Sequence, residues 1–143
     1  MESSKRENLY RPITSRSKPM SHFSTITTTI KDRDLLVKSL QVLGHEVEEN
    51  ILLDNPVNHQ HEQVEVEVAI NNDIGFKWNG SEYELVAELD AWDLDVPVQR
   101  FIDKLTQQYA EQTVLAKIEE QGFVVEQRNT TDGTVELVVG RWT

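Results

Sequence analysis

"GFKWNGSEYELVAELDAWDLDVP", residues 75–97, holds two of the three tryptophans of the chain and six of its carboxylates. Such a stretch is either a reaction site or a β-hairpin with one buried and one wet face. Asn79-Gly80 decides for the hairpin, because a two-residue type I′ loop needs positive φ at both positions and this pair tolerates it. The loop pairs Trp78 with Ser81, Lys77 with Glu82, Phe76 with Tyr83 and Ile74 with Leu85. That register places Ile74, Phe76, Trp78, Tyr83 and Leu85 on one face and sets Lys77 against Glu82 on the other. The aromatics therefore belong to a core, and Glu82, Glu84 and Glu88 to a solvated face.

On the N-terminal side, "QVEVEVAI" (63–70) alternates Val64, Val66 and Val68 against Glu65, Glu67 and Ala69, the pattern of a half-buried strand. "FSTITTTI" (23–30) is rich in β-branched residues and reads as a strand. Asp32 caps a helix whose Leu35, Leu36, Leu40 and Leu43 share a face and which Gly44 stops. "HEVEE" (45–49) reads as a short strand returning beside the first, and residues 50–61 as a loop with a brief extended piece at Ile51 to Leu53.

On the C-terminal side, "DAWDLDVP" is a turn, with Pro97 in the first turn of the next helix and Asp95 near its cap. Val98, Phe101, Ile102, Leu105, Tyr109, Leu115 and Ile118 recur at three and four, defining the longest helix, which ends at Gly122. In the closing segment a three-residue loop at Thr131-Asp132-Gly133 faces Val125 to Val139, Gln127 to Leu137 and Arg128 to Glu136. Val124 and Val138 are apolar on the opposite face, so these strands are expected to be central or covered on a second side. The order β-α-β-β-β-β-α-β-β defines an α+β domain, two helices packed on one face of a mostly antiparallel sheet.

Charge separates the chain into two parts. Residues 1–20 carry five bases against two acids, a net +3, and the remainder nine bases against 23 acids, a net −14. Residues 1–19, with scattered Ser and Arg and no apolar period, read as a disordered basic extension, and residues 20–143 as a single domain. An acidic domain repels phosphate backbones and anionic lipid, so direct nucleic-acid binding is not expected of it. No apolar run is long enough to span a bilayer. The absence of cysteine removes disulfides and thiolate metal sites and suits a reducing compartment.

"MSHFSTITTTIKD" from Met20, "NDIGFKWNGSEYELVAELDAW" from Asn71, "QQYAEQTVLAKIEEQGF" from Gln107 and the closing "DGTVELVVGRW" resemble, in order and spacing, the hypothetical chloroplast reading frame thirty-five family. These are small proteins of cyanobacteria and algal plastids grouped as a domain of unknown function. The resemblance runs from Met20 to Trp142, and the tyrosine and glutamate of "YELVA" and the terminal Arg-Trp are its most specific parts. It implies the cytoplasm of a cyanobacterium or a plastid stroma, in a photosynthetic cell, and it brings no catalytic residue or cofactor with it.

Chemistry-bearing residues are sparse. There is no Gly-rich phosphate loop, no nucleophile elbow and no Cys-His pair. His59-x-His61 puts two imidazoles on one side of an extended segment, a candidate divalent-metal pair with Asp54 or Asp73 as a third ligand. Glu84 and Glu88 share a strand face roughly 13 Å apart, too wet for acid–base work. Trp92 lies in an acidic turn with Asp93 and Asp95; with Glu84 and Glu88 these are the candidate partner-binding residues, Trp92 serving either as an exposed anchor or as a cover for the core. Three classes follow: a non-enzymatic interaction, assembly or regulatory factor with a protein partner of basic surface; a small metal binder or enzyme using His59 and His61; and an acidic nucleic-acid mimic. The first is preferred, with no cofactor expected.

Overall fold

A computed structural model describes residues 22–57 and 62–141. Strand β1 (Ser24–Thr27) leads to helix α1 (Arg33–Val42), then β2 (Val47–Asp54), β3 (Gln63–Ile70), β4 (Ile74–Trp78) and β5 (Tyr83–Ala87). A single 3-10 turn, Leu89–Ala91, precedes helix α2 (Val98–Glu120), and β6 (Phe123–Thr131) and β7 (Thr134–Arg141) close the chain. This is the expected α+β order. Five strands form one sheet in the order β1-β5-β4-β3-β2, every neighbouring pair antiparallel, and β6 and β7 form a two-stranded sheet of their own.

The helices begin and end where their residues dictate. The Asp32 side chain accepts from the Leu35 N–H at 3.0 Å, and Gly44 takes φ +97° to stop α1. Leu36 and Leu40 of α1 and Phe101, Ile102 and Leu105 of α2 are buried against Val68, Ile70, Ile74, Phe76, Leu85 and Ala87 of the sheet. At about 1.5–3 kcal/mol for each large side chain taken from water, this layer is the main stabilising contact of the domain. Pro97 occupies the cap position of α2 and not its first turn, and no side-chain cap hydrogen bond forms there among the described residues.

The Asn79-Gly80 hairpin is present, but its register differs from expectation by two residues. Trp78 pairs with Tyr83, Lys77 with Glu84, Phe76 with Leu85 and Ile74 with Ala87. The loop has four residues because the Asn79 side chain accepts from the Ser81 and Glu82 N–H groups at 2.8 and 3.0 Å, so only Gly80 needs positive φ. A shift of two preserves the side of every residue. Phe76, Tyr83 and Leu85 thus lie in one core cluster as expected, and Lys77 meets Glu84 instead of Glu82.

Three other expectations need correction. Strand β2 runs through Asp54, absorbing the first five residues of the expected loop, and sits at the opposite edge of the sheet from β1. The β6–β7 pair is not central: its loop is the two residues Asp132-Gly133, both with positive φ, and Thr131 pairs with Thr134. An extra residue at Glu126 shifts the ladder so that Val125 still faces Val139, while Gln127 faces Val138 and Arg128 faces Leu137. Arg128 turns to α2 and not to Glu136, donating to both carboxylate oxygens of Glu111 at 2.5 and 2.7 Å.

The third correction concerns β3, which does not keep its valines on one face. Val68 and Ile70 enter the helix-side core, whereas Val66 packs with Leu53, Ala69 and Val86 in a second cluster flanked by Phe23, Ile51 and Val64. The switch falls at Glu67, which takes no part in the ladder on either side, opposite Asn50 with φ +57°. Gly75 makes room for it: a Cβ there would lie 2.7 Å from Val66 Cγ1 and 3.1 Å from Leu53 Cδ2. Gly75→Ala is therefore expected to cost about 1–3 kcal/mol through overpacking. In a Val66→Ala background the same change is expected to cost clearly less. Urea denaturation of the four proteins measures the coupling, and equal costs in both backgrounds would refute this packing.

Candidate interaction surfaces

The residues singled out by sequence do not assemble into one site. His59 and His61 lie outside the described residues. Asp54 ends β2 and accepts from Gln63 Nε2, whereas Asp73 follows the far end of β3, roughly 26 Å away along eight strand residues, so the two are not alternative third ligands of one ion. Among the described residues no group of three or more His, Asp or Glu side chains is arranged to hold a metal. His22 approaches Glu62 at 3.7 Å, and His45 stacks edge-on against Phe101 at 5.7 Å, where burial lowers its pKa.

Trp92 is half-buried. Its ring meets Phe101 edge-on at 5.7 Å and its Nε1–H donates to the Val96 carbonyl at 2.8 Å, so the indole covers the end of the core. Asp93 and Asp95 beside it are exposed. Glu84 and Glu88 part company: Glu84 accepts from Asn79 Nδ2 at 3.2 Å, near the hairpin loop, while Glu88 is not on a wet face at all. It is 4% exposed and its carboxylate caps the 3-10 turn, accepting from the Asp90 N–H at 2.6 Å. The start of that turn needs an acceptor, which is what draws this carboxylate inward.

Two carboxylates acquire unusual surroundings. Asp73 has one oxygen, Oδ1, that is buried and without a hydrogen-bond partner among the described residues; burial first, then the charge of Asp93, raises its pKa. Glu111, 8% exposed, is held below the ordinary carboxylate range chiefly by the hydrogen bonds from Arg128. That pair, with Gln107 Nε2 donating to the Gly133 carbonyl, fastens the β6–β7 hairpin to α2.

Sequence reasoning missed two exposed apolar features. Trp78, assigned to the core, is 39% exposed and stacks edge-on against Tyr83 with ring centroids 5.1 Å apart. The signal lay in Asn79, whose side-chain turn lengthens the loop and makes Trp78–Tyr83 the last pair of the ladder. Val138 and Val139, on opposite sides of β7, are 40% and 41% exposed on a strand whose neighbour among the described strands is β6 alone. Between β6 and the helices runs a groove whose apolar lining includes Leu35, Leu115, Phe123 and Val125.

A family model described as "Protein of unknown function (DUF1257)" matches residues 39–138. The chain belongs to this family. It is 39% identical over 126 residues to "Uncharacterized protein ycf35" of Guillardia theta, a match that covers 86% of this chain and 98% of the relative. The proteins of the same name from Pyropia yezoensis, 38% identical over 129 residues, and Cyanophora paradoxa, 32% over 126, are covered to the same extent. No solved structure matches the chain. No described helix is long and apolar enough to cross a membrane.

The two carboxylates make opposite pH predictions. Asp73 has a raised native pKa, so the folded state is penalised above that pKa and relieved as pH falls through it; Asp73→Asn is expected to stabilise at pH 7 and to have no effect at pH 3. Glu111 has a depressed native pKa, so its contribution is complete above its unfolded value of 4.5 and lost as pH falls through the native one. Glu111→Gln is expected to destabilise at pH 7, with the deficit shrinking on acidification. Urea denaturation at the two pH values checks both signs.

Proposed function

We propose that this protein is a non-enzymatic interaction or assembly factor of a photosynthetic cell, working in a cyanobacterial cytoplasm or plastid stroma, whose partner is a protein with a basic surface. The observation that carries this reading is the β6–β7 hairpin: a two-stranded sheet with both outer edges unpaired among the described strands and with Val138 and Val139 exposed. A two-stranded ribbon is marginal by itself and offers open main-chain groups to an added strand. Here it rests on α2 through Glu111–Arg128, which leaves its far edge available for pairing. The net charge of −14 beyond residue 20 favours a basic partner over nucleic acid or an anionic membrane. Exposed Asp93 and Asp95 beside Trp92, and half-buried Glu84, contribute to that field, whereas Glu88 is spent on its cap.

The test is affinity capture from cyanobacterial lysate at physiological salt, with wild-type protein and Val138→Glu/Val139→Glu. Both positions are exposed, so the double variant is expected to keep its stability to within about 1 kcal/mol. Wild type is expected to retain a defined, saturable partner and the variant to lose most of it. Equal capture by a folded variant, or no saturable partner for wild type, would overturn the reading.

A further inference from the structure

A second surface specifies what kind of group the partner presents. Beside the N-terminus of α1 an open notch is lined by Asp32, Asp34, Glu67, Trp78 and Tyr83, with Lys31 and Arg33 also on its wall. Trp78 offers an exposed ring, and Tyr83 is 6% exposed yet its hydroxyl has no hydrogen-bond partner among the described residues. The ring is buried but the hydroxyl oxygen is open to solvent at the notch, where it can accept from a donor that a ligand brings.

The charges around it select the ligand. Arg33 is already committed: its guanidinium donates to Glu49 Oε1 at 3.0 Å, Asn50 Oδ1 at 2.9 Å and the Glu67 carbonyl at 3.2 Å. Asp32 is engaged through the Leu35 N–H and Glu67 through the Trp78 N–H at 2.9 Å, but each carboxylate keeps a further oxygen, and Asp34 has no partner among the described residues. Three acids thus stand against one uncommitted base, Lys31, with the acidic domain behind them. An indole face rimmed by carboxylates binds cations, and a planar guanidinium fits best because it stacks on the ring while donating in a fixed fork to the acids and to the phenol oxygen.

We propose that the Trp78–Tyr83 notch receives an arginine side chain of the protein partner, held by the Trp78 ring, the Tyr83 hydroxyl and the carboxylates of Asp34 and Glu67. This assignment rests on the interaction reading above and makes Trp78, not Trp92, the aromatic anchor.

The full chain is titrated with a blocked Gly-Gly-Arg-Gly-Gly peptide while the tryptophan indole N–H resonances are followed by NMR, the Trp78 signal being identified with Trp78→Phe. The peptide is expected to move the Trp78 signal and to leave Trp92 in place; its citrulline counterpart, isosteric but uncharged, is expected to move neither. Trp78→Ala and Asp34→Asn are each expected to weaken binding about threefold to tenfold, and Lys31→Gln to strengthen it. Asp34→Asn and Lys31→Gln change exposed positions, so they remain decisive if Trp78→Ala unfolds. The proposal is overturned if citrulline binds as well as arginine, if inorganic phosphate moves Trp78 more than the peptide does, or if removing the distant acids Glu46 and Glu48 weakens binding as much as Asp34→Asn. Should the lysate partner depend on Val138 and Val139 while no arginine peptide moves Trp78, the notch assignment falls and the hairpin reading stands.

Discussion

The break in β3 at Glu67 is the constraint from which the rest of the domain follows. A strand that kept strict alternation would send Val64, Val66 and Val68 to one face, leaving the other face of the sheet without the apolar side chain that meets Leu53 and Val86. Switching sides at Glu67 lets one strand feed both clusters. The cost is a main-chain segment without ladder partners, and unpaired carbonyls are expensive to leave in place. Arg33 offsets it by donating to the Glu67 carbonyl, and Lys77 Nζ does the same for the Glu65 carbonyl at 3.0 Å. Because Arg33 is the first residue of α1, the repair of the strand also fixes where the helix begins. The released Glu67 carboxylate then reaches the Trp78 N–H, so the notch is a direct consequence of the break.

Much of this architecture was legible in the residues, because periodicity and turn chemistry act locally. The helices, the Asn79-Gly80 hairpin and the sidedness of Phe76, Tyr83 and Leu85 all follow from patterns of a few residues. What escaped were features decided by competition. Asn79 could supply either a left-handed turn residue or a side-chain acceptor, and the side chain won, which moved the register by two. Arg128 could meet a cross-strand acid or one on α2, and an extra residue in β6 turned it to Glu111. Glu88 looked like one more surface acid until the 3-10 turn claimed it. In each case the deciding partner is a backbone group or a side chain whose position depends on the assembled fold.

The candidate surfaces were less legible than the fold for a related reason. Exposure of Trp78 is a matter of where a ladder ends, and exposure of Val138 and Val139 depends on the absence of a described neighbour beyond β7. Alternating apolar residues in "TVELVV" suggest burial on two sides, and the sequence carries no sign that one of those sides lacks a covering element within the described residues. Trp92 was open between an exposed anchor and a cover for the core, and Phe101, four residues into α2, gives the indole a ring to lean on and decides for the cover.

The hairpin and the notch also differ in kind, and the difference bears on how a partner would engage them. The hairpin is held to the domain mainly by Glu111–Arg128, the Gln107–Gly133 contact and the apolar wall of the groove, with no ladder to the main sheet, so it is the element expected to open at lowest cost. Strand addition there would recover main-chain hydrogen bonds and cover Val138 or Val139, gains that depend little on partner sequence. The notch lies on the rigid side, between the capped start of α1 and the buried ladder of β4 and β5, and its carboxylates discriminate by charge. A partner using both would draw affinity from the pliable surface and selectivity from the rigid one, with the acidic field of the domain speeding encounter. Two modest contacts joined on one chain act at high effective concentration, which is why a partner need bind neither surface tightly by itself.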